Sequence, residues 1–581
     1  MTSATSNINQ FWAYLVVEEL VRCGVDHFFL APGSRSTPLV VAIAEHPRAT
    51  HTIHYDERGT SFAALGYARA TGRPACWVTT SGSALANGFP AIVEASADRV
   101  PMVLLTADRP PELRDTGANQ TIDQVKLFGG YVRRFVDLPA PTVDIAPGYV
   151  LTTIDAAVHA ARTGPVHLNA MFREPLAPTA SGFDAEAYGG PVAGWRSGEA
   201  PFTTYEQPAS VPAGDTRAEA VLRTARRGLI LAGRLPSTAA AQAVAALAAA
   251  RGWPLVADIG SQLRLDARTT GAIAHGEMLV GTPAFAGAHA PDCILQVGDR
   301  LTSKRLFSLP ASHPEAVHIV VHPSGDRLDP LHGVSHRVEA DIAAFCTRLA
   351  AQPADAAEAG WLHAWREADR RAGEALDAHV AGGALTEPAV ARLVSRWVPE
   401  GSALCLASSM PIRDMDRFAA SSGAGALVVS NRGASGIDGT FATAAGVAIG
   451  HEGPVILVMG DLAFLHDLNS MPLLKAARGP LVVVLVNNQG GGIFSFLPIS
   501  TFPHVFEHYF ATPHDHAFAH AASLFGVPYA APADEGAFRE AFFAALSRPG
   551  PSLIEVRTDR QANLYEHRAL DQAITALFSP Q

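Results

Sequence analysis

Short apolar runs rich in β-branched residues recur along the whole of this 581-residue chain, each closed by a Gly, Pro or polar turn. Ala-rich stretches with helical spacing lie between them. A strand that is apolar at every position must be covered on both faces, and a helix between two such strands returns the chain so that the next runs parallel. The alternation therefore predicts an α/β fold of doubly wound parallel sheets. Residues 27–30, 75–79 and 102–105 read as buried strands of a first block, from about residue 10 to 178. A stretch rich in Ser, Gly, Pro and Thr, roughly 177–215, reads as a linker. A second block contains runs at 228–233, 254–256, 293–297 and 317–321, and a second linker is expected at about 350–358. The third block runs from the helical region at 361–376 to the strand at 552–556. A chain of this length exceeds a single core and suits several domains.

Charge and cysteine usage narrow the function classes. The net charge is −11, which argues against a general binder of nucleic acid or anionic membrane. The longest apolar runs, such as 480–486, have strand length and fall well below a membrane span. Five cysteines (Cys23, Cys76, Cys293, Cys346, Cys405) are scattered without a CxxC pair. A disulfide framework or thiolate zinc site is not expected. Residues 1–10 lack the basic-then-apolar order of a signal peptide. The expected location is cytoplasmic.

The third block carries the chemistry most sharply. A strand at 454–459 is closed by Gly460-Asp461, and another at 481–486 by Asn487-Asn488, with 25 residues between Asp461 and Asn487. Ligands of open α/β sheets bind beyond the carboxyl ends of the strands, where both turns fall. Gly460 permits close backbone approach, and Asp461 supplies a hard oxygen for Mg2+. Asn488 adds a side-chain oxygen, and the Gly490-Gly491-Gly492 turn offers a carbonyl at Gly490 and amides for phosphate. Either turn alone is ordinary loop chemistry. The pair, each after a buried strand, points to an octahedral metal completed by two diphosphate oxygens and a water.

Far upstream, Glu57 stands in His54-Tyr55-Asp56-Glu57-Arg58-Gly59, between a short strand and an Ala-rich helix. A Glu there often only complements the helix dipole. Beside a metal–diphosphate anchor it acquires a sharper meaning. Thiamine diphosphate is activated by a carboxyl group hydrogen-bonded to N1′ of its pyrimidine ring, which favours the imino tautomer. The expectation is an enzyme with thiamine diphosphate and Mg2+ (or Mn2+). Cations recur in other strand-end loops: Arg35, Arg109, Lys304-Arg305, Arg413 and Arg432. Such residues are mostly just solvated. Converging, they would form a carboxylate pocket, since Arg forks grip carboxylates bidentately.

Five segments carry a resemblance to a known family: residues 31–37 (Ala-Pro-Gly-Ser-Arg-Ser-Thr), 56–59, 105–112 with 117–120, 430–439, and the metal segment. They resemble the 2-succinyl-5-enolpyruvyl-6-hydroxy-3-cyclohexene-1-carboxylate synthase family, thiamine diphosphate enzymes of menaquinone biosynthesis, and the likeness runs nearly end to end. The resemblance implies a pyrimidine-binding domain over 1–185, a central Rossmann-like domain over 186–355 and a diphosphate- and Mg-binding domain over 356–581. It implies decarboxylative 1,4-addition of 2-oxoglutarate to isochorismate, two dicarboxylates that suit the cationic loops. Glu57 matches the activating acid, and Ile437 the bulky apolar residue that bends the cofactor. Asp461, Asn488 and the Gly490 carbonyl match metal ligands. Ser81, Gly82, Asn87, Gly460, Leu462, Gly491, Ile493 and Phe494 complete the cofactor set. Ser34, Arg35, Arg109, Asn119, Gln120, Lys304, Arg305, Ser409, Arg413 and Arg432 match substrate-side positions, with Phe494 and Leu497 as an apolar wall. The family also implies a homodimer or homotetramer in which Glu57 of one subunit meets Asp461 of another.

Leu462 follows the Asp where many thiamine enzymes carry Gly, and Ser83 stands where decarboxylase relatives carry Pro; both fit the resembled family. A lyase like acetohydroxyacid synthase or oxalyl-coenzyme-A decarboxylase would need FAD or a nucleotide in the middle block, which has no convincing dinucleotide loop. A non-catalytic ligand sensor would lack Glu57 or part of the metal set, and neither is missing.

Overall fold

The structure is a computed structural model that describes residues 6–206, 216–266, 271–381, 383–420 and 425–579. The expected α/β architecture is present as three six-stranded sheets in which every strand pairing is parallel. The first contains β1 (His27–Leu30), β2 (Thr50–Ile53), β3 (Ala75–Thr79), β4 (Met102–Asp108), β5 (Arg134–Leu138) and β6 (Val166–Met171), in the order β2-β1-β3-β4-β6-β5. The second contains β7 (Gly228–Ala232), β8 (Leu255–Ala257), β9 (Ala272–Ile273), β10 (Cys293–Val297), β11 (Val317–His322) and β12 (His336–Glu339), in the order β12-β11-β10-β7-β8-β9. The third contains β13 (Ala403–Leu406), β14 (Leu427–Ser430), β15 (Val455–Gly460), β16 (Pro480–Asn487), β17 (Tyr529–Ala530) and β18 (Gly550–Arg557), in the order β14-β13-β15-β16-β18-β17. Central strands such as β3, β4, β7 and β10 are buried at every position, which is why their sequences are apolar without alternation.

The segment expected to be the first linker is structured where it is described. Residues 207–215 of it lie outside the described residues. Upstream, short helices at Ala185–Gly189 and Ala193–Ser197 dock on the first helix, Ile8–Arg22. Phe11 meets Phe183 and Tyr188, Tyr14 meets Trp195, and the Trp195 indole donates to the Glu19 carboxyl at 2.6 Å. Aromatic side chains spaced among Gly, Ser and Pro, which read as loop in sequence, bury enough area to hold the segment down. Val192 and Trp195 thus belong to the apolar core beneath the first sheet.

The first and third sheets are joined through helix Glu57–Thr71 and helix Thr440–Gly450, which lie in direct backbone contact. A Cβ added at Gly66 would fall 2.1 Å from the Thr443 carbonyl oxygen, and one at Gly446 would fall 1.9 Å from that of Ala63. Only glycine permits that approach. Glu57 opens the first of these helices, and Ile437 stands just before the second. The crossing therefore fixes two expected site residues to one rigid seam. Among the described residues no helix is long and apolar enough to cross a membrane.

Candidate functional site

Strand register converts the split signature into one place. In β15 and β16, Met459 pairs with Leu485 and Gly460 with Val486, so the Gly460-Asp461 and Asn487-Asn488 turns leave adjacent strands at the same edge. The neighbouring strand β13 delivers Ser408-Ser409 and helix Met410–Phe418, which carries Arg413; β14 delivers the loop with Arg432 and Ile437. These turns enclose a cavity of about 290 Å3. Its lining includes Ser409, Arg413, Arg432, Ile437, Gly460, Asp461, Leu462, Asn488, Gly490, Gly491, Ile493 and Phe494. Twelve side chains or turns named from sequence are thereby gathered into one site at the carboxyl edge of a parallel sheet.

The polar groups of this cavity are arranged for a cation at one end and anions at the other. Asp461 opens a short helix; its Oδ1 accepts from the Leu462 amide at 2.7 Å and its Oδ2 from the Gly490 amide at 2.9 Å. His514 Nε2 lies 3.2 Å from the same Oδ2. Burial raises the Asp461 carboxyl above its ordinary range, against the pull of the two amides and His514. Asn488 donates from Nδ2 to Glu387 Oε1 at 2.9 Å, while its Oδ1 is buried without a partner. An orphaned buried oxygen beside a carboxylate and the Gly490 backbone is a hard donor set of the kind Mg2+ takes. The residues present therefore fit a divalent ion.

At the other end, Arg413 is half-buried and close enough to Arg432 that desolvation and then the neighbouring positive charge lower its pKa. Arg432 Nη1 is buried with no partner. Two neighbouring guanidinium groups, one with a buried unsatisfied donor, make a local demand for a carboxylate. Arg413 braces the turn by donating to the Ser409 carbonyl. Ser409 itself adopts φ +74°, a conformation that side-chain-bearing residues rarely take.

A second cluster forms at the corresponding edge of the first sheet. Glu57 is the first residue of its helix, capped by the Asp56 side chain, and is half-buried with Oε2 accepting from Asn87 Nδ2 at 3.1 Å. Arg109 donates to the Ser81 hydroxyl, and Gln120 Nε2 to the Ser81 carbonyl at 2.9 Å. The Gly82 amide donates to Gln124, and the Arg35 amide to the Thr80 hydroxyl at 3.2 Å. The Arg35 side chain is buried, donating to the Phe172 carbonyl and pairing with Glu174. Ser34 and Asn119 are exposed beside this cluster. None of these residues lines the cavity of the third sheet.

The five cationic loops thus do not converge within one chain. Lys304 and Arg305 open a helix of the middle sheet's domain; Lys304 is exposed, and Arg305 is held by Asp571 at 3.0 Å and by Glu277. Within this chain Arg305 is therefore already paired with two acids, both of which also contact Arg417. Leu497 is 46% exposed and outside the cavity lining, so within one chain it forms no wall.

Several residues at the cavity were not singled out from sequence. Glu387 and Asp414 line it, His514 touches Asp461, and His567 lies 3.1 Å from Asp414. Burial, then the nearby Asp414 charge, raises the Glu387 pKa. In sequence Thr386-Glu387-Pro388 reads as a helix start, which it also is, with Thr386 capping the Ala389 amide. Glu94 is a further case. Its carboxyl accepts from the Gly433 and Ala434 amides at 2.8 and 2.6 Å and from Arg69, pinning the loop that carries Arg432. No local pattern marks a carboxylate whose partners are backbone amides 339 and 340 positions away.

Comparison with known proteins finds three family domains along the chain. Residues 12–127 match the thiamine pyrophosphate enzyme N-terminal TPP binding domain, 186–406 the middle domain of thiamine pyrophosphate enzymes, and 412–556 the C-terminal TPP binding domain. Over 576 residues the chain is 52% identical to a 2-succinyl-5-enolpyruvyl-6-hydroxy-3-cyclohexene-1-carboxylate synthase of Rubrobacter xylanophilus, covering 98% of this chain and 99% of the relative. The same-named protein of Salinibacter ruber is 51% identical, with 98% and 97% covered. That of Prosthecochloris aestuarii is 43% identical over the same shares.

Proposed function

Because the chain belongs to the 2-succinyl-5-enolpyruvyl-6-hydroxy-3-cyclohexene-1-carboxylate synthase family of thiamine pyrophosphate enzymes, we propose that it joins 2-oxoglutarate to isochorismate with loss of CO2, in menaquinone biosynthesis. The observation that carries this reading is the cavity with an oxygen donor set at one end and, at the other, Arg413 and Arg432, neither of which forms an ion pair within 4.0 Å among the described residues. A metal-held diphosphate fits the first, and a dicarboxylate fits the second. Bound thiamine diphosphate supplies the electron sink that lets a 2-oxo acid lose CO2 and its keto carbon act as a nucleophile.

The chain's own residues do the rest. Asp461, Asn488 and the Gly490 carbonyl hold the ion, whereas the amides expected to serve the phosphates are already taken: Gly490 donates to Asp461, Gly491 to the Ala511 carbonyl and Gly492 to that of Gly490. Ile437, packed against the seam between the first and third sheets, offers the apolar wedge, and Phe494 the wall beside the reacting carbon. Arg413 and Arg432 hold carboxylates, each charge-assisted contact contributing ~1.5–3 kcal/mol. Glu57 holds a proton at the pyrimidine N1′, with Asn87 fixing its carboxyl. Ser34, Arg35, Arg109, Asn119 and Gln120 travel with Glu57 as the other half of the substrate site. Lys304 is an exposed cation on the middle-domain helix whose Arg305 pairs with Asp571.

The two halves are proposed to meet between subunits of a homodimer or larger assembly. What supports this is the absence of Glu57 from the lining of the Asp461 cavity, together with apolar surface flanking both. Ile53 and Tyr55 are 58% and 62% exposed beside Glu57, and Phe502 and Tyr509 are 53% and 70% exposed beyond the Gly-rich turn. A cytoplasmic location fits the five cysteines without a disulfide.

The test is an assay of isochorismate loss with protein, thiamine diphosphate, Mg2+ and 2-oxoglutarate, run beside Glu57→Gln. Isochorismate is expected to disappear with wild type, and at least ~100-fold more slowly with the variant, the scale of a positioned acid–base group. Release of CO2 from 2-oxoglutarate with isochorismate untouched would instead assign a lyase.

A further inference from the structure

Asn488 can serve a metal only through its oxygen, and an amide side chain offers an oxygen and an NH2 group of nearly equal shape. What distinguishes them is the partner each finds. Here the NH2 group is bound from behind. Asn488 Nδ2 donates to Glu387 Oε1 at 2.9 Å, and the Thr558 hydroxyl donates to the same oxygen at 3.1 Å. Glu387 is 3% exposed and is anchored as the first residue of helix Glu387–Trp397, behind the Thr386 cap. On the other side, a Cβ added at Gly492 would fall 2.5 Å from Asn488 Nδ2, so the amide is closely housed. The outcome is the buried, unpartnered Asn488 Oδ1 at the cavity.

We propose that Glu387 is a positioning residue for the metal site: its carboxyl oxygen fixes the Asn488 amide so that Oδ1, and not the NH2 group, faces the ion. The inference rests on the assignment of Asp461, Asn488 and Gly490 as metal ligands. Flipped, the amide would set its oxygen against Glu387 Oε1, an acceptor that also receives the Thr558 hydroxyl, and would present N–H donors to a cation. The role needs only a lone pair on Oε1, which the carboxyl keeps in either protonation state. Thr558 holds that oxygen still. Partners of this kind behind a ligand typically govern 10–100-fold of metal affinity.

The test counts Mn2+ bound to the full-length protein in the presence of thiamine diphosphate, from the free-ion EPR signal, without reference to turnover. Glu387→Gln keeps an acceptor oxygen and is expected to hold Mn2+ within about threefold of wild type, whereas Glu387→Met, which removes it, is expected to weaken binding about 10–100-fold. Glu387→Ala gives the same measurement should the Met side chain not pack. In an Asn488→Asp background both terminal atoms are oxygens, so Glu387→Met should cost no more than about threefold, a non-additivity that a packing role would not produce. Equal losses in Gln and Met variants, or no loss in Met and Ala variants, would overturn the proposal. Asn488→Ala separates it from its premise. If that variant binds Mn2+ like wild type, the ligand assignment itself is wrong. If it loses the ion while Glu387→Met does not, only the positioning role falls.

Discussion

Replacing Gly446 with alanine tests the seam that joins the two halves of the chain. The new Cβ would stand 1.9 Å from the Ala63 carbonyl oxygen and 2.8 Å from the Tyr67 amide nitrogen. The obstruction is main chain, so no rotamer change relieves it, and the helices must part by about 1 Å. A gap of that size forfeits roughly a quarter to a half of each contact's dispersion energy along the crossing. Overpacking of a core costs about 1–3 kcal/mol, and a backbone obstruction belongs at the upper end. Against this, alanine gains about 1 kcal/mol of helix propensity over glycine. The net is a loss of about 2 kcal/mol, or about 4–8 °C in Tm for a cooperative unit of 150–250 residues. Differential scanning calorimetry at fixed protein concentration reads it directly. Gly194, in a short helix with open space where its Cβ would go, is the control, and Gly194→Ala is expected to melt at or above wild type. A Gly446→Ala protein that is as stable as wild type, or more so, would refute the close-packed seam.

Other predictions concern the site and acid stability. Arg413→Ala is expected to raise KM for 2-oxoglutarate or isochorismate about 10–100-fold, the effect of losing a charge-assisted contact, with thiamine diphosphate affinity near normal; unchanged steady-state kinetics would count against the carboxylate role. Arg35→Ala should do the same more mildly, because its guanidinium already serves the Phe172 carbonyl and Glu174. Glu18 accepts from His46 at 2.8 Å and from Arg22 at 2.6 Å, and these bonds, His46 first, lower its pKa from 4.5 to about 2. A carboxyl with a depressed native pKa contributes stability that is fully present above its unfolded value and is lost as pH falls through the native one. Melting temperature should therefore drop between about pH 4.5 and pH 2, and Glu18→Gln should flatten that segment of the curve relative to wild type. A variant whose acid limb is unchanged in shape would remove Glu18 from the account.

How much could be read from sequence follows the range of each interaction. The β15 and β16 runs are apolar at nearly every position, a local property that forces a two-sided cover and so a parallel sheet. Once the sheet is parallel, the residues after those strands must emerge at one edge, and Asp461, Asn488 and the Gly-rich turn were legible for that reason. The docked aromatic segment at 183–195 was not, because its partners, Phe11, Tyr14 and Glu19, lie far upstream.

Sequence by itself determined most of the buried strands, their direction and the chemical kind of the turns that close them, because these depend on residues a few positions apart. Tertiary structure alone decided which groups share a wall. It placed Glu387 behind Asn488, gave Glu94 to the loop of Arg432, tied Arg305 to Asp571 and left Glu57 outside the cavity of its own chain. The reason is physical: hydrogen bonds and ion pairs act over about 3 Å, and which groups come that close is set by how whole helices and sheets pack.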